Sequence, residues 1–251
     1  SGREVYKEPF YPLVPGFRQV PFGEIEPLRE AIDQDTAAVI LEAVQGEAGV
    51  RVPPDDYLKQ VRDVCDEKGV LLILDEVRTG FGRLGRLFAA DLYGIEPDII
   101  CFGKALGGGV YPVSAVLADA EVMDVFTPGT HGSTFGGNPL AAAVARAALS
   151  VIVEEKLPDR AAELGEWFMG ELRAIGSPHV QEVRGKGLLV GVVIRSESGP
   201  ARPFCEALMR EGILAKETHE QVVRFAPPLV ITREELEGVL PAIARVLRGE
   251  S

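Results

Sequence analysis

The sequence predicts an α/β protein with a mostly parallel sheet flanked by helices, followed by a small C-terminal α+β domain. In the first half of the chain, short and continuously apolar runs alternate with amphipathic stretches, which is typical of strands covered on both faces. The order strand, helix, strand favours parallel pairing. After residue 157 the pattern changes to runs of strands and helices. We therefore predict a large domain over residues 1–157 and a small domain over residues 158–251.

The strands of the first sheet are predicted at apolar runs over residues 37–41, 70–74, 99–102 and 113–117. An amphipathic stretch at 54–69 separates the first two runs, and its apolar residues fall on one helical face. Gly69 stands where a helix C-cap belongs. The sequence therefore predicts a β–α–β unit at the start of this sheet.

Cap residues predict where later helices begin. Asn138 followed by Pro139 predicts an N-cap and a first helical position, and this Ala-rich helix should run to about Lys156. A second amphipathic helix is predicted over residues 158–175. In the small domain the patterns predict strands at 180–184, 188–194 and 222–225, and helices at 204–212 and 232–248.

The last of these helices carries two local signals. Thr232 and Glu235 have the spacing of a capping box, which fixes the helix start. Pro241 lies within the helix, and we expect it to produce a kink because it cannot donate a backbone hydrogen bond.

Net charge and cysteine content narrow the classes of function. Lys and Arg number 26 against 38 Asp and Glu, a formal charge of −12, which argues against nucleic acid or an anionic membrane as the main partner. No apolar run reaches the roughly 18 residues that a membrane span needs. The three cysteines are widely spaced, which fits free thiols in the reducing cytoplasm. The three histidines lie far apart, so we expect no metal centre.

Two carboxylates, Asp75 and Glu76, end the second predicted strand. In a parallel sheet the carboxyl ends of the strands form the ligand crevice, and a carboxylate there is costly unless a cation or a hydrogen-bond donor meets it. Asp75 could bind a ligand, or it could cap the next segment or pair with an arginine. This feature alone leaves both interpretations open.

A lysine and three glycines follow the next strand. Lys104 comes two positions after residue 102, where the strand over residues 99–102 ends. A partly buried lysine has a lowered pKa, which frees its amine as a nucleophile. In isolation this Gly-Lys pair would indicate a surface lysine beside a tight turn. However, Asp75 and Lys104 on successive strand ends should face one crevice. A carboxylate opposite an imine-forming lysine is what pyridoxal 5'-phosphate (PLP) chemistry requires, so we predict this cofactor.

These residues lie within motifs that resemble the signature of the class III aminotransferases, and the resemblance extends over the whole chain. The matching segments are QGEAG (45–49), LDEVRTGFGR (74–83), PDI (97–99), GKALGGG (103–109) and HGSTFGGNP (131–139). Within the class, segments 126–135, 216–219 and 224–229 are most similar to ornithine aminotransferases. The resemblance implies a fold-type I PLP-dependent transferase, with an incomplete large domain and a small C-terminal domain.

The resemblance also implies the roles of the cofactor-binding residues. Lys104 corresponds to the Schiff-base lysine, and Asp75 to the partner of the pyridinium nitrogen. Val77 would pack on one face of the ring. Thr134 would reach the cofactor phosphate of a neighbouring subunit, with Ser133 beside it among the cofactor-binding residues.

Two further positions are expected to bind substrate. Arg224 would bind the α-carboxylate of the oxo acid or of glutamate, and Glu47 would mask it when ornithine presents its δ-amine. Taken without the resemblance, these two residues favour a structural ion pair. Arg78 stands where ornithine aminotransferases usually carry Gln beside the phenolic oxygen of the cofactor. We expect Arg78 to donate a hydrogen bond there and to add a charge.

The implied reaction is PLP-dependent transfer of the δ-amino group of ornithine to 2-oxoglutarate, giving glutamate 5-semialdehyde and glutamate. Family members carry a long region upstream of the point that matches Ser1, and this region supplies the phosphate cradle. We therefore expect the chain to act only with such an N-terminal part, as a homodimer or with a complementing half. The strands at 37–41, 70–74, 99–102 and 113–117 should remain neighbours. The strands near residues 18–20 and at 113–117 should each lose the partner that the upstream region supplies.

Two alternatives stand beside this interpretation. The chain could be a catalytically inactive aminotransferase fragment that acts through subunit contacts. It could instead be a sister aminotransferase, for acetylornithine or 4-aminobutyrate, although the ornithine-type motifs weigh against this. In either active case the partners are a small amino acid and a 2-oxo acid, with no nucleic acid and no membrane.

Overall fold

The computed structural model describes residues 4–250. The helices are α1 (Glu4–Lys7), α2 (Ile25–Ala31), α3 (Tyr57–Lys68), α4 (Ala89–Tyr93), α5 (Ala120–Met123), α6 (Pro139–Glu154), α7 (Leu157–Ala174), α8 (Arg202–Arg210) and α9 (Arg233–Arg248). The strands are β1 (Ala38–Glu42), β2 (Leu71–Asp75), β3 (Ile99–Phe102), β4 (Ala115–Ala118), β5 (Val180–Lys186), β6 (Leu189–Ile194), β7 (Lys216–Thr218) and β8 (Val222–Phe225). They form two separate sheets of four strands each.

The first sheet has the order β1-β2-β3-β4, and its first three strands are parallel. Strand β4 is antiparallel to β3, with Phe102 opposite Ala115. The predicted mostly parallel sheet flanked by helices is therefore confirmed, and the three parallel strands bring their carboxyl ends to one edge.

Local cap signals set the helix ends as the sequence predicts. Gly69 ends α3 in the left-handed region with φ of 67°. The Asn138 side chain accepts a hydrogen bond of 2.9 Å from the Ala141 amide at the start of α6. Thr232 and Glu235 form the capping box of α9. Helix α9 continues without a break through Pro241.

Residues 18–20 form no strand, in line with the expected loss of the partner strand. The Arg18 side chain donates a hydrogen bond of 2.8 Å to the Ala31 carbonyl at the end of α2 and pairs with Asp33. One detail differs from the sequence prediction. The short strand β7 was not predicted, since its three residues include two charged ones and lack an apolar run. Strand β7 completes the second sheet, whose order is β5-β6-β8-β7 and whose pairs are all antiparallel.

Each sheet has its own apolar core. The first core joins β2 to α3, and includes Leu58, Val61, Leu72 and Leu74, none of which is exposed. The second core joins β6 and β8 to α7, α8 and α9, with Phe168 at its centre. The two sheets lie on opposite sides of the predicted domain boundary at residues 157 and 158, and the boundary itself stays a prediction. None of the helices within residues 4–250 has the length and apolar character to cross a membrane.

A close backbone contact holds α7 against the turn between β5 and β6. A Cβ added at Gly165 of α7 would lie 2.0 Å from the carbonyl oxygen of Gly187. Gly187 in turn has φ of 52°, and a Cβ there would lie 2.5 Å from the Arg83 carbonyl oxygen. Only glycine fits at both positions, because backbone atoms on each side cannot retreat as a flexible side chain could.

We expect Gly165→Ala to destabilise the protein by about 1–3 kcal/mol, since the new methyl group must push α7 away from Gly187. The matched control is Gly170→Ala in the same helix, where no atom lies within 4 Å of the added Cβ. That change should stabilise by about 0.5–1 kcal/mol through helix propensity alone. Urea unfolding of both variants measures the difference, and equal effects of the two changes would contradict the contact.

Candidate active site

Three side chains lie side by side at the carboxyl end of the parallel strands. In the strand register Glu42 is opposite Asp75, and Asp75 is opposite Cys101. Burial raises the pKa of Glu42 and the charge of Asp75 adds to this, while a hydrogen bond from the Gly46 amide opposes it. Asp75 accepts a hydrogen bond of 2.9 Å from the Val77 amide. The edge of the sheet is therefore acidic and would favour a cationic group.

Lys104 lies next to this acidic edge, at the start of a short 3-10 helix that follows β3. Its φ of 43° places a non-glycine residue in the left-handed region, which costs conformational energy and is frequent at functional sites. Burial lowers the pKa of Lys104, and the charge of Arg78 lowers it further against the opposing charge of Asp75. A larger fraction of the amine is therefore neutral, and nucleophilic, at neutral pH.

Val77 contacts the backbone of the segment that carries Lys104. A Cβ added at Gly103, the residue before the lysine, would lie 3.2 Å from Cγ1 of Val77. Because Gly103 has no side chain, Val77 can lie close to the backbone next to Lys104. This arrangement gives the site an apolar surface beside its two charged groups.

The second carboxylate of the Asp75-Glu76 pair has a structural position. Glu76 is fully buried. Its carboxylate accepts a hydrogen bond of 2.5 Å from the Thr79 hydroxyl and one of 2.9 Å from the Ala90 amide at the start of α4. Burial raises the pKa of Glu76, and these hydrogen bonds oppose the rise. Glu76 therefore fastens the loop after β2, while Asp75 stays at the sheet edge.

Glu47 lies among three cations. Arg224 Nη1 donates 2.7 Å to Glu47 Oε1, Arg78 Nη2 donates to the same oxygen, and Lys216 Nζ lies 3.5 Å from Oε2. Burial alone raises the pKa of Glu47, but the hydrogen bond and charge of Arg224, with Arg78 and Lys216, hold it at about 2. The carboxylate is therefore ionised throughout the physiological range.

The loop that carries Glu47 is held against the second sheet. The Arg184 guanidinium donates 2.8 Å to the Gly49 carbonyl, and Val50 is fully buried with φ of 50°. A Cβ at Gly191 would lie 3.0 Å from the Val50 Cβ, so strand β6 and this loop are in close contact. The Glu47–Arg224 pair therefore joins a loop of the first sheet to strand β8 of the second.

Of the residues that the sequence predicts for the site, the structure groups Asp75, Val77, Arg78, Glu47, Arg224 and Lys104. Ser133 and Thr134 lie apart, exposed in the loop before α6. The Ser133 hydroxyl accepts 2.9 Å from the Gly136 amide, and within residues 4–250 neither side chain contacts Asp75 or Lys104.

Sequence reasoning missed Glu42 and Lys216. The signal for Glu42 was available, because this carboxylate ends an apolar run just as Asp75 does. Lys216 carries no comparable local signal, since only the pairing of β7 with β8 places it opposite Arg224. Among the described residues no group of three or more His, Cys, Asp or Glu side chains is placed to hold a metal ion.

Comparison with known proteins identifies the family. The family model described as Aminotransferase class-III matches residues 2–247. The chain belongs to the class III aminotransferases. It is 54% identical to ornithine aminotransferase 2 of Staphylococcus aureus over 99% of this chain and 62% of that protein. The chain thus spans about three fifths of the length of the curated relatives it matches.

Solved structures give the same result for the fold. An ornithine aminotransferase from Toxoplasma gondii, with PLP at partial occupancy in its active site, is 47% identical with a TM-score of 0.93 over 96% of this chain and 57% of that one. The acetylornithine aminotransferase from Elizabethkingia anophelis is 46% identical with a TM-score of 0.87 over 93% of this chain and 60% of that one. The fold-type I assignment is confirmed.

PLP is the cofactor of this family, and the residues present fit it. The neutral form of the Lys104 amine, favoured by its lowered pKa, can react with the aldehyde of PLP. The acidic edge at Asp75 can stabilise a protonated ring nitrogen. The surface of Val77 beside Gly103 suits a flat ring.

We expect Glu47 to make stability depend on pH. Its folded pKa of about 2 lies below the ordinary 4.5, so its contribution is present above about pH 4.5 and is lost as pH falls toward 2. Urea unfolding of the wild type and Glu47→Gln between about pH 6 and about pH 3 should show a stability difference that shrinks on acidification.

The control is Glu163→Gln, an exposed position on α7 with no ion pair in the described part of the chain. This variant should follow the wild type at each pH. A difference for Glu47→Gln that stays constant over the same range would contradict the ion-pair cluster.

Proposed function

We propose that the protein transfers the δ-amino group of ornithine to 2-oxoglutarate, giving glutamate 5-semialdehyde and glutamate, with the N-terminal part that its relatives carry. The observation that supports this most is the placement of Lys104 and Asp75 at neighbouring strand ends, next to the Glu47–Arg224 pair. A nucleophilic amine, an acidic edge and a masked guanidinium are the three groups that this reaction needs.

The residues that would hold PLP are Lys104, Asp75, Val77, Arg78, Ser133 and Thr134. When bound, PLP supplies a carbonyl carbon that accepts the amino group and a ring that accepts electrons from the reacting carbon. Asp75 would hold the proton of the ring nitrogen, and Val77 would exclude water from one face. Lys104, once displaced by the substrate amine, would move a proton at the δ-carbon, for which its lowered pKa is suited.

Glu47 and Arg224 would determine whether an α-carboxylate or a δ-amine of the substrate is bound next to Lys104. Arg224 is 10% exposed and already bound to a carboxylate, so it offers a fixed guanidinium for the α-carboxylate of the oxo acid. Glu47 is 55% exposed and would cover this guanidinium when ornithine presents its δ-amine. The same pair would therefore serve both halves of the reaction.

Ser133 and Thr134 would serve the site of a second copy of the chain. Their exposure in the loop before α6, away from Lys104, supports this assignment. The active form would then be a homodimer in which each subunit completes the other's phosphate contacts.

Acetylornithine is the second candidate for the amine donor. The acetylornithine aminotransferase of Elizabethkingia anophelis matches this chain at 46% identity, close to the 47% of the Toxoplasma gondii ornithine aminotransferase. The donor must therefore be determined by assay.

We expect Lys104 to be the specific site of PLP attachment. Incubation with PLP, reduction by borohydride and peptide mapping should show saturable labelling confined to Lys104, because its lowered pKa leaves more neutral amine than an ordinary lysine has. Lys104→Ala should abolish the label, whereas Lys68→Arg, at the exposed end of α3, should leave it unchanged. Diffuse labelling of surface lysines would contradict the assignment.

The reaction itself is tested by comparing amine donors. With 2-oxoglutarate as acceptor, ornithine should be used in preference to N-acetylornithine and 4-aminobutyrate, by the protein alone or mixed with the N-terminal part of a relative. Glu47→Ala should raise kcat/KM for glutamate relative to ornithine, because Arg224 is then always open. Specific labelling of Lys104 without any amine transfer would instead support the inactive alternative.

A further inference from the structure

Glu47 joins two guanidinium groups that come from different parts of the fold. Arg78 Nη2, from the loop after β2, and Arg224 Nη1, from β8, donate to the same oxygen, Oε1. Lys216 approaches the other oxygen at 3.5 Å. One carboxylate thus faces three cations, and Glu42 at the end of β1 is the other anion whose charge acts on Arg78.

The two guanidiniums are mostly buried, whereas the Glu47 carboxylate is the more exposed group of the cluster. Arg224 and Arg78 are 10% and 19% exposed, against 55% for Glu47. The Arg78 side chain lies on Gly46, where an added Cβ would be 2.0 Å from its Cδ. Arg224 Nη1 also approaches the Gly46 carbonyl at 3.5 Å. These contacts with Gly46 do not involve Glu47, so they would remain if the Glu47 side chain moved toward solvent.

Such a pair of cations is unfavourable without an anion between them. Burial lowers the pKa of Arg78, and the charge of Arg224 lowers it further. When Glu47 leaves, the two partly buried guanidiniums lose the counter-ion that they share, and of the carboxylates that act on Arg78 only Glu42 is left. Removing one partner of a buried ion pair is destabilising. A carboxylate from solution would restore the balance, and planar guanidiniums suit its geometry.

We propose that Arg78 supplies a second guanidinium for the substrate carboxylate, beside Arg224, so that Arg78 takes part in the Glu47–Arg224 exchange of the proposed function. Arg78 is then a specificity-determining residue that favours carboxylate-bearing substrates at this end of the site. The identity of that carboxylate rests on the proposed function, but the binding does not require any turnover.

The test uses glutarate, a five-carbon dicarboxylate that cannot accept an amino group. Isothermal titration calorimetry should show about tenfold tighter glutarate binding by Glu47→Gln than by the wild type, because the internal competitor has lost its charge. Adding Arg78→Gln to Glu47→Gln should weaken binding about tenfold, the effect of one charge-assisted hydrogen bond.

Arg184→Gln in the Glu47→Gln background is the matched control. It also removes one arginine that contacts the 45–51 loop, through Gly49, but it has no contact with Glu47. Its glutarate affinity should stay within about twofold of Glu47→Gln. A loss equal to that of Arg78→Gln would overturn the proposal, because loosening of the loop would then explain both.

Arg78→Lys gives a second, milder variant that keeps the charge and the aliphatic stem over Gly46. In the Glu47→Gln background its affinity for glutarate should lie between those of Arg and Gln. Unchanged affinity in both Arg78 variants would overturn the proposal. Because no amine is transferred, a failure of the donor assays leaves this result standing, and a failure here leaves the donor assays standing.

Discussion

Arg83 fastens the first sheet to the second, and the geometry of the site depends on that connection. Its guanidinium donates hydrogen bonds of 2.9 Å to the Leu188 carbonyl and 2.6 Å to the Pro227 carbonyl. The backbone carbonyl of Arg83 accepts a third hydrogen bond, of 3.0 Å, from the Leu188 amide. Burial lowers the pKa of Arg83 to about 10, so it still carries its charge at neutral pH. Since Asp75 and Lys104 come from the first sheet and Arg224 from the second, any slippage at this junction would separate them.

Glycines allow the backbone segments that connect the two sheets to approach each other closely. Gly165, Gly187 and Gly85 meet where the loop after β2, helix α7 and the β5–β6 turn converge, and a Cβ at Gly85 would lie 2.9 Å from the Ala162 Cβ. A dry backbone contact of this kind has few alternative arrangements, because moving one segment exposes unpaired backbone groups on the others. The position of Arg224 relative to Glu47 is therefore fixed by packing that lies outside the site, and only the half-exposed Glu47 side chain keeps freedom to move.

The sequence was sufficient to predict features that depend on short stretches. Asp75 and Lys104 follow apolar runs, Asn138 and Thr232 begin helices, and Gly69 ends one, and the structure has each of these. Prediction failed where distant segments meet. Nothing near Arg18 indicates that its side chain would bind the Ala31 carbonyl at the end of α2. Likewise, the convergence of Arg78 and Lys216 on Glu47 requires the register of β7 with β8 and the fit between the two sheets, and no local periodicity encodes either.

Arg78 connects the two ends of the site electrostatically. Its charge lowers the pKa of Lys104, and its guanidinium binds Glu47. Glu47 acts in the opposite direction on Lys104, since its negative charge raises the pKa of that amine. Glu42 acts in the same direction as Glu47, since its charge raises the pKa of both Arg78 and Lys104. Part of the negative charge beside Arg78 and Lys104 therefore comes from the end of β1 and does not depend on the position of the Glu47 side chain. A carboxylate that took the place of Glu47, as proposed above, would supply the same sign of charge between Arg78 and Arg224.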